Sequence, residues 1–557
     1  MASIPPLVAS LLDTITTSPA SSRTILLLLI LPLTFLLLRW LSSSNHDPNE
    51  PPLIKPTIPI IGHIISFFRH GLDFHARLYA QNPLPISTVS LGGKKTYIVT
   101  SPALVHAAQR NPQLNYEIFA IEFAQGLLGV SSAEFSVIPG LIHEFFTGIS
   151  AGMAGDGLRT MNARALSYLS AVLNTSSSPS IPPPSASHLT FSFPPEIPNL
   201  WLWSRAAVTH IATEALYGPP NPFRDPSLAA DLWTYDDASF LLVLNLLPNL
   251  LARRAVAARA RVQAAMGAYY AANHDQDPSV AAQVVQNRGR ILRNAGGLSG
   301  FDAGRFDLTM PQVGVINAAP TLFWMLVHVF ACPKLFARLR AELEPLVQLS
   351  EDNNTAKLNA SALSEKQTPL LHSVWLETLR WAGRPLSVRR VMEDTTISDG
   401  TTGTTYTLKR GSDVHMPAAV THMLPSVWGD SPHEFRGDRF LHLNTSSQKQ
   451  NPETEKQRRQ AFFPFGGGRH LCPGRNFAYV EIMTVVAVFV VGFEVSGLED
   501  EKNDGGRKRE IKIPKRAWQS PLKGVFAPAA DADKGDIVGV RVERRKGWED
   551  VEWEFVV

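Results

Sequence analysis

The stretch FPFGGGRHLCPGRNFA, residues 463–478, decides how this chain is read. Three consecutive glycines, Gly466, Gly467 and Gly468, open backbone conformations closed to residues with a Cβ. A loop built this way bends tightly and can aim several N–H groups at one point. The sulfur of Cys472 is a natural target, because N–H donors stabilise a thiolate. Pro473 and Gly474 follow, and then an apolar helical run over residues 476–493. The N-terminus of that helix also favours an anion at the sulfur. Phe465 can shield the sulfur from water. The alternative is a structural cysteine in a glycine-rich turn.

Outward from this loop, composition narrows the classes. The 557-residue chain is 45% hydrophobic and 18% charged, with a net charge of +3. That balance suits a globular body and argues against nucleic acid as partner. Two cysteines, Cys332 and Cys472, exclude a disulfide framework or a zinc cluster, and two free thiols are expected. Residues 24–38 read TILLLLILPLTFLLL, uncharged between Arg23 and Arg39. With Trp40 and Leu41 this approaches the roughly 20 residues that span a bilayer. It reads as an uncleaved membrane anchor, about residues 24–41, within an N-terminal segment 1–47.

Residues 45–59 are proline-rich and read as a semi-rigid connector to a single body, residues 48–557. The Ser- and Pro-rich stretch 170–198 reads as a surface loop, as do the polar stretches 444–460 and 499–509. Apolar residues at three- and four-residue spacing predict helices over 202–217, 239–272 and 334–346. Residues 310–330 predict a long buried helix. Strand-like pieces are few: 87–100, 395–408 and 536–542. The expected fold class is mainly α with small β-sheets. Trp201 and Arg205 are read as core and surface residues.

The spacing Phe465, Gly468, His470, Cys472, Gly474 closely resembles the haem-binding loop of the cytochrome P450 superfamily, microsomal type. The resemblance implies haem b between a long distal helix and the helix after the cysteine loop. It makes Cys472 the axial thiolate ligand of the iron, which favours O–O cleavage. The family usually has arginine where His470 stands, and that residue contacts a haem propionate. Arg469, next to it, is a substitute. Glu377-Thr378-Leu379-Arg380 resembles the family's E-x-x-R pair, at a spacing that shares one helix face. The segment PHEFRGDRF, residues 432–440, resembles the one whose arginine joins that pair, with Gly437 in place of a second proline. Arg439 is then the third member of a buried charge network. Arg389 takes the place of a second propionate contact, with Arg390 as its neighbour and competitor.

The run VGVINAAPTLFW, residues 313–324, falls where the family's distal helix runs. An acid followed by threonine usually organises the proton-delivering water there. Here those positions hold Ile316 and Asn317, and Pro320 predicts a kink. Asn317, Pro320, Phe323 and Trp324 resemble a subgroup containing sterol 7α-hydroxylases and prostacyclin synthase. The expected activity is a haem monooxygenase using O2 and electrons from an NADPH–cytochrome P450 reductase, with Asn317 and Thr321 as catalytic residues. Its substrate is an apolar small molecule: a sterol, terpenoid, polyketide or similar specialised metabolite. Pocket walls are expected from residues 119–128, 385–388 and 524–529, and Arg469 and Arg475 are expected to face the reductase. The alternatives are a haem-thiolate isomerase or dehydratase that needs no electron donor, and a non-catalytic haem-binding protein. The expected location is the endoplasmic reticulum membrane, with one N-terminal anchor and a cytosolic catalytic domain.

Overall fold

The computed structural model describes residues 47–557 apart from 57–61, 176–183, 186, 353, 401, 442–451, 499–509, 519, 521–522 and 530–536. The apolar segment 24–41 and the polar stretch 499–509 lie outside the described residues. Early in the chain, α1 (Ile64–His70) and α2 (Phe74–Gln81) lead into a hairpin of β1 (Ile86–Leu91) and β2 (Lys94–Val99). Next come α3 (Pro102–Arg110), the short β3 (Leu114–Asn115), α4 (Glu117–Leu128), α5 (Ile138–Gly152) and α6 (Leu200–Tyr217). The helix predicted over 310–330 is two helices, α7 (Thr309–Val315) and α8 (Ala318–Phe330). Then follow α9 (Pro369–Ala382), β4 (Leu386–Val391), β5 (Asp413–Pro417) and α10 (Arg475–Gly492).

The largest sheet has the order β1–β2–β5–β4–β3, and only the β2–β5 pair is parallel. Its register sets Arg390 opposite Asp413 and Arg389 opposite Val414. Successive side chains in a strand point to opposite faces. The two neighbouring arginines of β4 are thereby sent to different places. The described part of the proline-rich start touches this sheet: buried Glu50 accepts from Tyr97 Oη at 2.7 Å and Lys95 Nζ at 2.8 Å. The Thr88 hydroxyl also donates to Pro51 O at 2.6 Å.

The core sits where α6, α8 and α10 pack. Every residue of α8 is buried, so its apolar length serves the interior. Trp203, Phe330 and Phe489 meet there, with Phe489 centroids 5.2 and 5.5 Å from Trp203 and Phe330. Two loop predictions fail in their described parts. Within 170–198, the first residues continue the helix Gly155–Thr175, and Leu189, Phe191, Phe193 and Ile197 are buried. The alternation of Leu189, Phe191 and Phe193 drives one face of that segment into the core, where Phe193 lies 5.4 Å from Trp203. Within 444–460, residues Pro452–Ala461 form a helix that buries only Ala461. Its stability comes from helix propensity and contacts such as Lys456–Glu453, not from an apolar stripe. The helix predicted over 239–272 is broken into Ser239–Leu244, Pro248–Leu251 and Arg253–Ala271, as Pro248 requires.

One core residue is out of character. Glu481 on α10 is buried, and neither carboxyl oxygen has a hydrogen-bond partner among the described residues. Burial pushes its carboxyl well above the usual range. The folded chain therefore holds a proton that the unfolded chain releases, and stability falls as pH rises above the ordinary glutamate value. Glu481→Gln is expected to melt higher than the parent near pH 8, by about 1–3 kcal/mol of stability. The difference should close toward about pH 4, where both states are protonated. Thermal melts across that range check it; a pH-independent difference would refute the protonation account.

Candidate active site

The cysteine loop is fixed from both ends. Cys472 N–H donates to Phe465 O at 3.0 Å, and Gly466 N–H donates to Phe463 O at 3.0 Å. Gly466 and Gly468 have φ of +72° and +65°, which supply the left-handed turns. Gly468 is also a point of close approach: a Cβ there would lie 2.1 Å from Gln109 O at the end of α3. Cys472 is accessible on the loop, yet surrounding atoms still push its thiol upward. The backbone N–H groups of Gly474 and Arg475, and the Arg475 charge, act in the opposite direction. The anion-stabilising donors thus come from the start of α10, whereas the three glycines shape the turn and its seat on α3. The Phe465 ring stacks on Trp375, with centroids 6.4 Å apart.

Beside the loop lies a cationic cluster. Arg389 is 3% exposed and donates to Val388 O at 2.7 Å, Ser387 Oγ at 3.2 Å and Gly467 O at 3.3 Å. No carboxylate pairs with it among the described residues. Burial lowers its pKa to about 10, and Arg469 acts in the same direction. Arg390 is instead occupied, with Asp413 at 2.5 Å and Glu122 at 3.3 Å. His470 packs against Tyr116 and Phe146, with centroids 5.5 and 5.8 Å away. Burial first, then Arg389 and Arg469, hold His470 at about 4. The ring is neutral near neutral pH, so positive charge here belongs to Arg389 and Arg469. Arg469 donates to Pro112 O at 3.3 Å, and Arg475 donates to Cys472 O at 2.9 Å.

This donor set fits haem. A thiol under two N–H groups can ligate iron, and a buried guanidinium without a carboxylate can take a propionate.

Behind the loop, Glu377 and Arg380 on α9 are completely buried. Arg380 Nε and Nη2 donate to the Glu377 carboxylate at 2.7 and 2.8 Å. Arg439 Nε reaches both of its oxygens at 3.0 Å. The helix spacing i, i+3 and the chain's return at residues 432–440 bring the three together.

At residues 316–317 the apolar helix breaks. Pro320 has no N–H to give Ile316 O, and Ile316 and Asn317 form a turn between α7 and α8. Thr321 is buried, and its hydroxyl donates to Asn317 O at 2.6 Å. Asn317 is exposed; its Oδ1 accepts the Gly524 N–H at 3.1 Å. Its Nδ2 makes no hydrogen bond among the described residues. A second lock, unseen in the sequence, sits one turn earlier. Gln312 donates to Asp236 Oδ1 at 3.0 Å and accepts from Tyr235 Oη at 3.1 Å, and Lys523 Nζ pairs with Asp236. These partners lie far apart in sequence, so no local spacing announces them. Trp324 Nε1 donates to Phe526 O at 2.7 Å, which fixes residues 524–526 along the same helix.

A helical body with small sheets, a cysteine at the head of a buried helix and an uncompensated cation beside it define a haem-thiolate protein. Comparison with known proteins agrees. A cytochrome P450 family model matches residues 309–515. A cytochrome P450 monooxygenase of Gibberella zeae is 34% identical over 512 residues, 92% of this chain and 92% of that one. The 7-alpha-hydroxycholest-4-en-3-one 12-alpha-hydroxylase of Homo sapiens is 26% identical over 458 residues, 81% of this chain and 87% of that one. The solved structure of a cyanobacterial CYP120A1 with retinoic acid bound superposes with a TM-score of 0.62 at 19% identity, over 90% of this chain and 100% of that one. The chain belongs to the cytochrome P450 family and is a monooxygenase of it.

Proposed function

We propose that the enzyme hydroxylates an apolar small molecule, of sterol, terpenoid or polyketide type, with electrons from an NADPH-linked reductase at the endoplasmic reticulum membrane. The observation that supports the substrate class is the apolar character of the helix on both sides of the break, where Val315, Ala318, Ala319 and Leu322 flank Asn317. The sterol-hydroxylating relative from Homo sapiens supports the same reading. The segment 24–41 supplies the membrane anchor in this reading.

Cys472 would ligate haem iron, with Arg389 and Arg469 toward the propionates and His470 as a neutral donor beside them. Bound haem supplies dioxygen activation with a thiolate ligand. The rest falls to the chain. Gly474 and Arg475 N–H groups hold negative charge on the sulfur. Phe465, stacked on Trp375, and its carbonyl, which accepts the Cys472 N–H, hold the loop in place. Asn317, fixed through Oδ1, offers Nδ2 to a water or to a substrate hydroxyl, while Thr321 holds the broken turn in shape.

The test is turnover of apolar substrates by the full-length enzyme with reductase, paired with a spectrum of the reduced, carbon-monoxide-bound form. The proposal requires NADPH-dependent oxygen insertion. Conversion of an oxygenated lipid without an electron donor would replace it with the isomerase reading, which Ile316 and Asn317 leave open by standing where the usual acid and alcohol would be. Asn317→Ala is expected to lower product formation roughly tenfold or more, with peroxide release rising. Unchanged coupling between NADPH use and product would remove Asn317 from the chemistry.

A further inference from the structure

Away from the cysteine loop, a cavity of about 510 Å3 lies between α1–α2 and residues 513–518. Arg69, Arg77, Lys515 and Arg516 line it, with His70; Asp73 is the one acid among the lining residues. None of the four cations forms an ion pair among the described residues. A fifth cation, the guanidinium of Arg384, stands behind the wall. Arg384 is 5% exposed, its side chain donates to Ala419 O at 3.1 Å, and its Nε is buried without a partner among the described residues. The Phe526 ring lies between the two charges, 5.5 Å from Arg384 and 5.1 Å from Arg516. Arg516 also sits 4.2 Å over Trp381.

Like charges gathered in a concave wall of low polarity focus a positive field. On a chain of net +3, four guanidiniums and one lysine converge here on a single lining carboxylate, Asp73. The surroundings are equally one-sided. Ile65, Phe68, Ile513 and Trp518 are large apolar side chains exposed around this region. Trp518 is tied to α1 by its indole N–H, 3.2 Å from Arg69 O. Phe68 touches Phe240 at 5.5 Å, and beyond it Leu246, Leu247 and Leu250 are each more than 60% exposed. A small hydrated anion has no use for such a rim.

We propose that this cavity binds the anionic head, phosphate or carboxylate, of an amphipathic molecule whose chain lies over Ile65, Phe68 and Trp518. The molecule is either an acidic phospholipid of the bilayer or a free amphipathic acid. Arg69, Arg77 and Lys515 meet the head at the mouth; Arg516 and Arg384 supply the deeper charge.

Full-length holoenzyme in neutral detergent is titrated calorimetrically with dodecyl phosphate, dodecanoate and uncharged dodecanol. The two anions are expected to bind roughly tenfold or more tightly than the alcohol. The double variant R69Q/R77Q, on exposed positions far from the cysteine loop, should abolish that preference and leave the reduced carbon-monoxide spectrum unchanged. K515Q should weaken it. Equal binding of anion and alcohol overturns the proposal, as does a preference that survives both variants. Lipid nanodiscs then separate the sources. A higher melting temperature in phosphatidylcholine with phosphatidic acid than in phosphatidylcholine alone, lost in R69Q/R77Q, assigns the head to the bilayer. No such rise, with dodecyl phosphate binding intact, assigns it to a soluble acid.

Discussion

Cys472→Ser is expected to abolish NADPH-driven turnover and to remove the thiolate signature from the reduced, carbon-monoxide-bound spectrum. The expected loss is complete because nothing else nearby can replace the sulfur. Cys332, the other thiol, precedes the helix Pro333–Leu343 and is free. A serine oxygen fits the same loop: the turns at Gly466 and Gly468 do not depend on the side chain at 472, and the Cys472 N–H to Phe465 O bond is made by backbone. The fold should therefore survive, with urea midpoints within about 1 kcal/mol of the parent. What changes is the donor. A thiolate under the Gly474 and Arg475 N–H groups is a soft anion that pushes electron density to the metal, and a hydroxyl at neutral pH is neither. Cys332→Ser is the matched control and should leave both readouts unchanged. A Cys472→Ser enzyme with the parental spectrum would mean that Cys472 does not ligate the iron.

That residue was legible in the sequence because its chemistry is local. Glycines, proline and cysteine within residues 463–478 specify a turn, a charge and a helix start with little help from elsewhere. The break at Pro320 is legible for the same reason. Arg389 and Arg390 are a harder case, since both are cations in one strand. The pairing of β4 with β5 separates them, by setting Arg390 across from Asp413 and turning Arg389 to the other face. Composition misled twice. Ser- and Pro-rich sequence hid the alternation of Leu189, Phe191 and Phe193, and a charged sequence hid the helix Pro452–Ala461. For the first, the deciding information is what the segment packs against, which no window of sequence contains; for the second it was local, in a run of strong helix formers that polarity alone reads as loop. The lock of Lys523, Asp236 and Gln312 is the extreme form, built from three distant stretches.

Glu377→Gln should be the most damaging substitution outside the cysteine loop. The Glu377 carboxylate accepts from four donors: Arg380 Nε, Arg380 Nη2, Arg439 Nε and the Arg436 N–H, the last at 2.9 Å. An amide keeps the shape, removes the negative charge and turns an N–H2 group toward guanidiniums that can only donate. Two cations are left facing each other, with Arg380 wholly buried and the Arg439 side chain 9% exposed. Breaking one partner out of a buried charge cluster costs about 3–5 kcal/mol, against a total stability of about 5–15 kcal/mol for a typical domain. The arginines also anchor backbone. Arg380 Nη1 donates to His422 O at 2.8 Å and Pro432 O at 2.7 Å; Arg439 donates to Trp428 O at 3.0 Å and Glu434 O at 2.9 Å. Those carbonyls belong to the segment beneath the loop, where His422 Nε2 meets the Phe463 N–H at 3.3 Å. Damage at Glu377 should therefore reach the cysteine loop as loss of bound haem, beyond loss of stability alone. Arg439→Lys keeps the charge but loses the fork of donors, and should cost less than Glu377→Gln. The double variant E377Q/R439Q should cost less than the sum of its single changes, because a neutral pair leaves fewer charges stranded. Urea unfolding and haem retention measured together on these three variants and on Arg439→Gln decide it. Strict additivity would mean that the two residues act separately and that no charge network supports the loop.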